Sequence, residues 1–326
     1  MSSNQHPETV PGHVLPVALE TDVARLAFVD QVLSLLHSPM DLLPTLERVF
    51  PDCGSIADTY VQLDDLKKCL DSFRPLNTAQ LLNLQSAWDT EYTYESNRIE
   101  GNTLTLSETS LVINDGITVG GKSMNEHLEA INHKEAVAYL RELAMGDAHL
   151  SESVIQSLHA LILKNSKHHD ERGRYRLVPV SITGTSYLPP QPWHVAKLME
   201  DLLLGYEQKK ATLHPVTLAA DVHADLVGIH PFIDGNGKTS RLVMNLILLR
   251  AGFPIANISG EQNTRLAYYQ ALNASHIAHD AAPFQALIAS YVKSGLFRYL
   301  AMVSGDMGAQ GRGKGGYFFE RMAGSH

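Results

Sequence analysis

Apolar residues recur at helical spacing along most of this chain. Leu26, Val29, Leu33 and Leu36 share one face of a stretch running from Leu19 to Val49, with an interruption near Ser38-Pro39. That period predicts one or two amphipathic helices. After a break at Pro51-Asp52-Cys53-Gly54 the pattern resumes over Asp58 to Phe73, and Pro75 ends it. Asn77-Thr78 then caps a long helix to about Ile99, which Gly101-Asn102 stops by accepting a left-handed backbone. Further helices are predicted from Thr105, over Asn125 to Ala144 and over Ser153 to Lys164, with a loop at Gly116 and Gly120-Gly121. Residues 173–190 change period. Val178, Val180 and Ile182 alternate with their neighbours, Gly184 supplies a turn and Pro189-Pro190 ends the run, which is a β-hairpin pattern. Helices return at Pro192 to Leu204, His214 to Val227, beyond Gly237 to Arg250, Ala267 to Asn273 and Phe284 to Leu300. The expected class is all-α, a helical bundle with one small β-hairpin.

The ends read differently. Residues 1–16, with Pro7, Pro11 and Pro16, predict a flexible arm. The tail 305–326 holds seven glycines and three basic residues and predicts disorder. Composition changes the picture little: 326 residues, 44% apolar and 19% charged, suit a folded chain with a sizeable core. The net charge of −9 argues against non-specific nucleic-acid binding, which needs excess Lys and Arg, but leaves room for a local basic site. Cys53 and Cys69 are too few for a disulfide scaffold and suit a reducing compartment. The first basic residue is Arg25, so no basic leader is visible, and the longest apolar runs, such as Leu246-Ile247-Leu248-Leu249, are too short to span a bilayer. A soluble, cytoplasmic protein without nucleic-acid or membrane partners is expected.

Chemistry concentrates in the run His230-Pro231-Phe232-Ile233-Asp234-Gly235-Asn236-Gly237-Lys238-Thr239-Ser240-Arg241. Gly235 and Gly237 permit close approach of backbone to a ligand, and amides at the start of the following helix favour an anion. Asp234 offers a hard oxygen for Mg²⁺. Lys238, Arg241 and Asn245 fall on one helical face. His230, just before the loop, is placed to accept a proton from an incoming hydroxyl. Together these read as a phosphate cradle with a base beside it. A Walker A loop is excluded because Phe232 stands where its first Gly is needed, and an EF-hand because His230 and Phe232 occupy ligand positions. His168-His169-Asp170-Glu171 lacks a recognised ligand spacing and reads as a solvated loop.

The run resembles the signature of the Fic family, His-Pro-Phe-x-Asp/Glu-Gly-Asn-Gly-Arg-x-x-Arg, at every defined position but one, since Lys238 replaces the usual Arg. Tyr175-Arg176 through Pro189-Pro190 resembles the family's flap hairpin, and Tyr268-Tyr269-x-Ala271-Leu272 its nucleoside-pocket segment. Taken alone, Tyr268-Tyr269 on a helix also suits a core. The resemblance covers roughly residues 90–292 as a catalytic core, between an N-terminal helical region at 17–89 and a last segment at 293–326. It implies a Fic-type bundle that transfers AMP from ATP to a Ser, Thr or Tyr hydroxyl of a target protein. By it, His230 is the general base and Asp234 holds Mg²⁺. Asn236, with the Gly235 and Gly237 amides, forms an anion hole, Lys238 and Arg241 bind the β- and γ-phosphates, and Tyr268 and Tyr269 line the nucleoside pocket. Ile182, Thr183 and Gly184 would dock the target as an added strand. Lysine keeps the charge at 238 but lacks the bidentate fork.

Ser96-Asn97-Arg98-Ile99-Glu100-Gly101-Asn102 resembles the family's inhibitory motif, Ser/Thr-x-x-x-Glu-Gly/Asn, placed before the signature as in the class whose inhibitory helix is N-terminal. It implies that Glu100, with Ser96 in the same motif, engages Arg241 and denies it to the γ-phosphate; a solvated Glu at a helix end is the plainer alternative. In some family members the matching Glu also supports removal of AMP. Self-modification and a homodimer are further implications of the resemblance. Competing readings are a Fic-fold phosphotransferase or phosphocholine transferase, a nucleotide-sensing module without transfer, and a transcriptional regulator, for which no winged-helix segment follows the core.

Overall fold

The computed structural model describes residues 39–74, 76, 78–305 and 312–323, with 23 and 27. The arm predicted at 1–16 lies outside them, as does most of the first predicted helix. The described chain is helical: α1 (Pro39–Val49), α2 (Ile56–Asp71), α3 (Thr78–Ile99), α4 (Leu106–Asp115), α5 (Met124–Met145), α6 (Glu152–Ile162), α7 (Pro192–Lys209), α8 (Pro215–Ile229), α9 (Asn236–Arg250), α10 (Gln262–Ile277), α11 (Ala282–Gly305) and α12 (Gly316–Ala323). One short strand, β1 (Arg312–Gly315), occurs among the described residues.

Two compact units form, and they do not follow chain order. The larger takes residues 54–63 and 77–296. At its centre α8 and α9 pack together. Both helices are buried nearly all round; α8 is mostly apolar, whereas α9 takes Lys238, Arg241 and Asn245 into the interior with its apolar residues. Val222, Leu226, Leu242, Val243, Met244, Leu246 and Leu248 are all buried. Helices α5 and α6 pack on α9, α3 on α5, and α7 and α10 on α8. Local sequence sets the starts. Thr105 and Ser123 each form a reciprocal capping box, with Glu108 and Glu126, at the heads of α4 and α5. Pro192 and Pro215 stand in the first turns of α7 and α8, where a missing N–H costs nothing. Leu104, Val112 and Ala130 make a satellite cluster beneath α4 and α5.

The smaller unit corrects the expectation of a disordered tail. Phe318, Phe319 and Met322 of α12 are buried in it, with Leu42, Leu46, Phe50, Phe73, Phe297 and Leu300. The Phe73 ring meets those of Phe318 and Phe319 at centroid distances of 5.3 and 5.8 Å. Gly315 passes so close that a Cβ there would fall 2.4 Å from the Phe73 ring. Arg321 Nε donates to Asp65 Oδ2 at 2.8 Å. The glycines suggested disorder, but two adjacent phenylalanines supply enough apolar surface to seat a two-turn helix.

A second expectation also fails in part. The alternation at Val178, Val180 and Ile182 does not become a strand pair; residues 177–191 run as irregular chain with a turn at Thr183-Gly184. Leu177 (89% exposed), Val178 and Leu188 (76% exposed) face outward, so the pattern buries no face and gains nothing from a ladder. Gly184 does take the positive φ (+86°) that the turn requires. No described helix is long and apolar enough to cross a membrane.

Candidate active site

His230 ends α8 in the left-handed conformation (φ 51°, ψ 57°), which is uncommon for a residue with a Cβ and must be held by its surroundings. Its N–H donates to the Leu226 carbonyl at 3.1 Å, and its carbonyl accepts from Arg176 Nε at 2.8 Å. On the ring, Nδ1 lies 3.2 Å from the Val227 carbonyl. A carbonyl can only accept, so Nδ1 carries the proton and the neutral ring keeps Nε2 as a bare lone pair. Burial depresses the His230 pKa below its ordinary 6.5, with the Arg176 charge acting the same way and the Val227 bond opposing. The imidazole is therefore neutral at neutral pH.

Arg176, which the sequence reading placed only in the flank of the flap, is a central brace. It is 1% exposed. Besides the His230 carbonyl, its guanidinium reaches the carbonyls of Val178 at 3.1 Å and Pro190 at 2.5 Å. Its own N–H donates to the Pro231 carbonyl at 2.9 Å. One buried fork thus ties both ends of the flap to the base. Ile182, Thr183 and Gly184 lie at the flap's turn, and Thr185 and Tyr187 fasten its far side to Asn273 Oδ1 (2.7 Å) and the Gly228 carbonyl (3.2 Å).

The loop after His230 is closed on itself. Asn236 donates through Nδ2 to the Phe232 carbonyl and accepts through Oδ1 from the Phe232 N–H, both at 2.9 Å. The Asn236 side chain is thus committed to closing the loop, which leaves its backbone amide toward the cavity. His159 of α6 supports the same loop. Its ring stacks on Phe232 at 3.6 Å, its Nδ1 accepts from the Gly173 N–H at 2.9 Å, and its Nε2 therefore donates to the Asp234 carbonyl at 3.0 Å. Burial lowers its pKa to about 4, which keeps that tautomer neutral. Nothing in the sequence beyond a helical His marked this residue.

Gly235 is the N-cap of α9 in the left-handed region (φ 75°) and brings no side chain to cap the helix. The first ladder bond runs from the Thr239 N–H to the Gly235 carbonyl at 3.0 Å, so the amides of Asn236, Gly237 and Lys238 precede it and point out of the helix end. Asp234 stands beside them, exposed, with Oδ1 accepting from the Gly235 N–H at 2.7 Å. His230, Asp234, Gly235, Asn236, Gly237, Lys238 and Glu100 together line a cavity of ≈ 260 Å³.

Arg241, one turn into α9, is 1% exposed. Nε donates to Ser96 Oγ at 3.0 Å, and Nη2 donates to the Ser96 carbonyl at 2.9 Å and to Glu100 Oε1 at 2.8 Å. Burial, the largest single effect, lowers its pKa, but Glu100 together with Tyr268 and Tyr92 outweighs it and holds the pKa above the ordinary value. Its Nη1 is buried without a partner. Glu100 also overlies the head of α9: a Cβ on Gly237 would fall 2.3 Å from Glu100 Oε1. The carboxylate therefore sits where α9 presents its amides. Lys238 has a carboxylate partner of its own. It is paired with Glu129 of α5 at 3.2 Å and is buried. The two tyrosines part company. Tyr268 is buried at 1% exposure against His223, its hydroxyl 2.9 Å from Nε2, so it belongs to the core. Tyr269 is 41% exposed and donates to the Ile99 carbonyl at 3.2 Å, fastening the end of α3. Asn245 braces residue 256 from α9, donating to the Ala256 carbonyl and accepting from its N–H.

Mg²⁺ takes oxygen ligands, commonly one or two carboxylates with substrate phosphates completing the shell. Asp234, exposed at the cavity beside free amides, fits that donor set. His169-Asp170-Glu171 forms an exposed 3₁₀ turn, as its lack of ligand spacing suggests.

Comparison with known proteins agrees with this geometry. Residues 149–248 match the model of the Fic/DOC family. The chain is 36% identical over 244 residues to a protein adenylyltransferase Fic of Drosophila grimshawi, covering 74% of this chain and 48% of that protein. A protein adenylyltransferase Fic of Nematostella vectensis is 38% identical over 218 residues, covering 65% and 48%. The chain thus spans about half the length of these curated relatives. Among solved structures, a fragment of Fic-1 from C. elegans superposes with a TM-score of 0.67 at 26% identity, covering 86% of this chain and 81% of the other. A Fic domain containing signaling protein from Bacteroides thetaiotaomicron gives 0.66 at 28% identity, covering 74% and 96%.

Proposed function

The chain belongs to the Fic/DOC family, and from that premise we propose that it is an autoinhibited protein adenylyltransferase, which moves AMP from ATP to a hydroxyl of a target protein. The observation that carries the reading is the tautomer of His230. Its Nδ1 is spent on the Val227 carbonyl, and its bare Nε2 stands beside a helix end whose amides are free for an anion. Nε2 takes the proton of the acceptor hydroxyl. The oxygen bonds to the α-phosphorus, the bond from that phosphorus to the bridging oxygen breaks, and pyrophosphate leaves with the electron pair. The backbone amides of Asn236 and Gly237 meet the charge on the phosphate oxygens, as preorganised donors do where charge develops. Arg241 Nη1, buried and unpartnered, is the donor left for the distal phosphates. Mg²⁺ bound at Asp234 would neutralise phosphate charge. The flap, tied to His230 through Arg176, presents the target.

Glu100 supports the regulatory half of the proposal. It occupies Arg241 and overlies Gly237, so it takes both the cation and the helix end that a triphosphate needs. The test is donor labelling of the Glu100→Gly protein with ATP carrying the label at either the α- or the γ-phosphate. Transfer of the α-label alone is the expected result. Transfer of the γ-label alone would mean phosphate transfer and would overturn the reading.

A further inference from the structure

Lys238 stands where the Fic signature has arginine, and the structure gives it a partner. Glu129 Oε2 lies 3.2 Å from Lys238 Nζ, with the lysine side chain 9% and the glutamate 26% exposed. Glu129 is itself held: Asn125 Nδ2 donates to Oε1 at 2.7 Å and Asn102 Nδ2 to Oε2 at 3.3 Å. Asn102 follows Glu100 by two residues. Its Nδ2 also reaches the Glu126 carbonyl at 3.0 Å, and its Oδ1 accepts from the Leu104 N–H at 3.1 Å. Glu129 thereby joins the lysine of the cradle to the turn that ends the inhibitory helix.

We propose that Glu129 is a second acidic gate on the nucleotide: it holds Lys238 in the same closed state in which Glu100 holds Arg241, and the β- and γ-phosphates must displace it. The proposal rests on the reading of this site as a cradle for ATP. Lys238 and Arg241 then each carry a carboxylate, and of the other charged groups lining the cavity Asp234 offsets Lys167. An incoming polyanion meets no net positive charge until a pair opens. The replacement of arginine matters here. A guanidinium fork can hold a carboxylate on one edge and a phosphate on the other, whereas an ammonium is a point charge that the two anions must share. Because Asn102 shares Oε2 with Lys238, opening this pair also loosens the anchor of the turn carrying Glu100. Glu129 is a positioning residue, acting through Lys238 and Asn102 rather than on the reacting atoms.

The experiment is calorimetric binding of ATP and of AMP, each with Mg²⁺, to Glu100→Gly and to Glu100→Gly/Glu129→Gln. Glutamine keeps the shape and can still accept from Asn125. ATP should bind about fivefold tighter in the double variant, the scale of a partly exposed ion pair. AMP, which lacks the phosphates Lys238 serves, should shift less than twofold. Lys238→Arg in the Glu100→Gly background leaves Glu129 in place and should tighten ATP by a smaller factor. Unchanged or weaker ATP binding on Glu129→Gln, or equal shifts for ATP and AMP, would overturn the proposal. Should Glu129→Gln melt below room temperature, Lys238→Arg decides: no tightening of ATP overturns it. Failure of Glu100→Gly to bind ATP at all would instead overturn the reading of the site itself.

Discussion

Consider Glu100→Gly. Glu100 lies just beyond the last residue of α3, in the turn where its N–H meets the Asn97 carbonyl at 3.0 Å. Glycine there breaks no helical interior, and the Ser96 bonds to Arg241 remain. What is lost is one charge-assisted hydrogen bond of 2.8 Å to a guanidinium that is 1% exposed, from a carboxylate whose side chain is 37% exposed. Hydrogen bonds to charged groups contribute ~1.5–3 kcal/mol. Because solvent reaches the carboxylate, the lower part of that range applies, roughly 1–2 kcal/mol. At ~1.4 kcal/mol per factor of ten, ATP should bind about five- to thirtyfold more tightly. Titration calorimetry with Mg²⁺ and ATP on wild type, Glu100→Gly and Glu100→Gln measures this directly. The glutamine variant keeps the side chain over Gly237 without its charge and should fall between the other two. Equal ATP affinity for wild type and Glu100→Gly would refute the reasoning, since the pair seen here would then not compete with phosphate.

Three further outcomes follow from the same geometry. Arg176→Ala strips hydrogen bonds from the carbonyls of the partly buried His230 and Pro190 and of the exposed Val178; a buried group left unsatisfied costs ~1–3 kcal/mol, so the melting temperature should fall by several degrees and transfer should drop with it. The His230 base works only when neutral, and burial lowers its pKa, so the acid limb of the pH–rate profile of Glu100→Gly should fall below 6.5; a limb above 6.5 would contradict the assignment. Phe319→Ala removes a side chain with no exposed surface from the smaller unit and should cost ~3–5 kcal/mol in denaturant unfolding, whereas a disordered tail would cost nothing.

Much of the site is legible in sequence because it is local. The run from His230 to Arg241 is contiguous, and glycines at 235 and 237 declare close backbone approach before any coordinates are seen. The Glu100–Arg241 pair, 141 residues apart in the chain, was accessible only through its motif. Long-range polar partners left no such mark. Glu129 reads as one more charge on an exposed helical face, and His159 as an ordinary helical histidine, yet one holds Lys238 and the other the Asp234 loop. The flap shows the opposite error. Alternation at Val178, Val180 and Ile182 carries the period of a strand, but period predicts a strand only where one face is buried, and here Val178 is exposed and Val180 and Ile182 are only half-buried. Composition misled at the tail for a related reason. Glycines dominate the count, while two phenylalanines decide the packing.

The central claim is that His230 deprotonates a hydroxyl that then takes AMP. The most direct measurement is intact-mass and gel analysis of Glu100→Gly and Glu100→Gly/His230→Ala after incubation with Mg²⁺ and α-labelled ATP, with an extract supplying acceptor proteins. The account predicts label and an AMP-sized mass gain with Glu100→Gly and none with the double variant, although both bind ATP. Undiminished labelling by the double variant would contradict it.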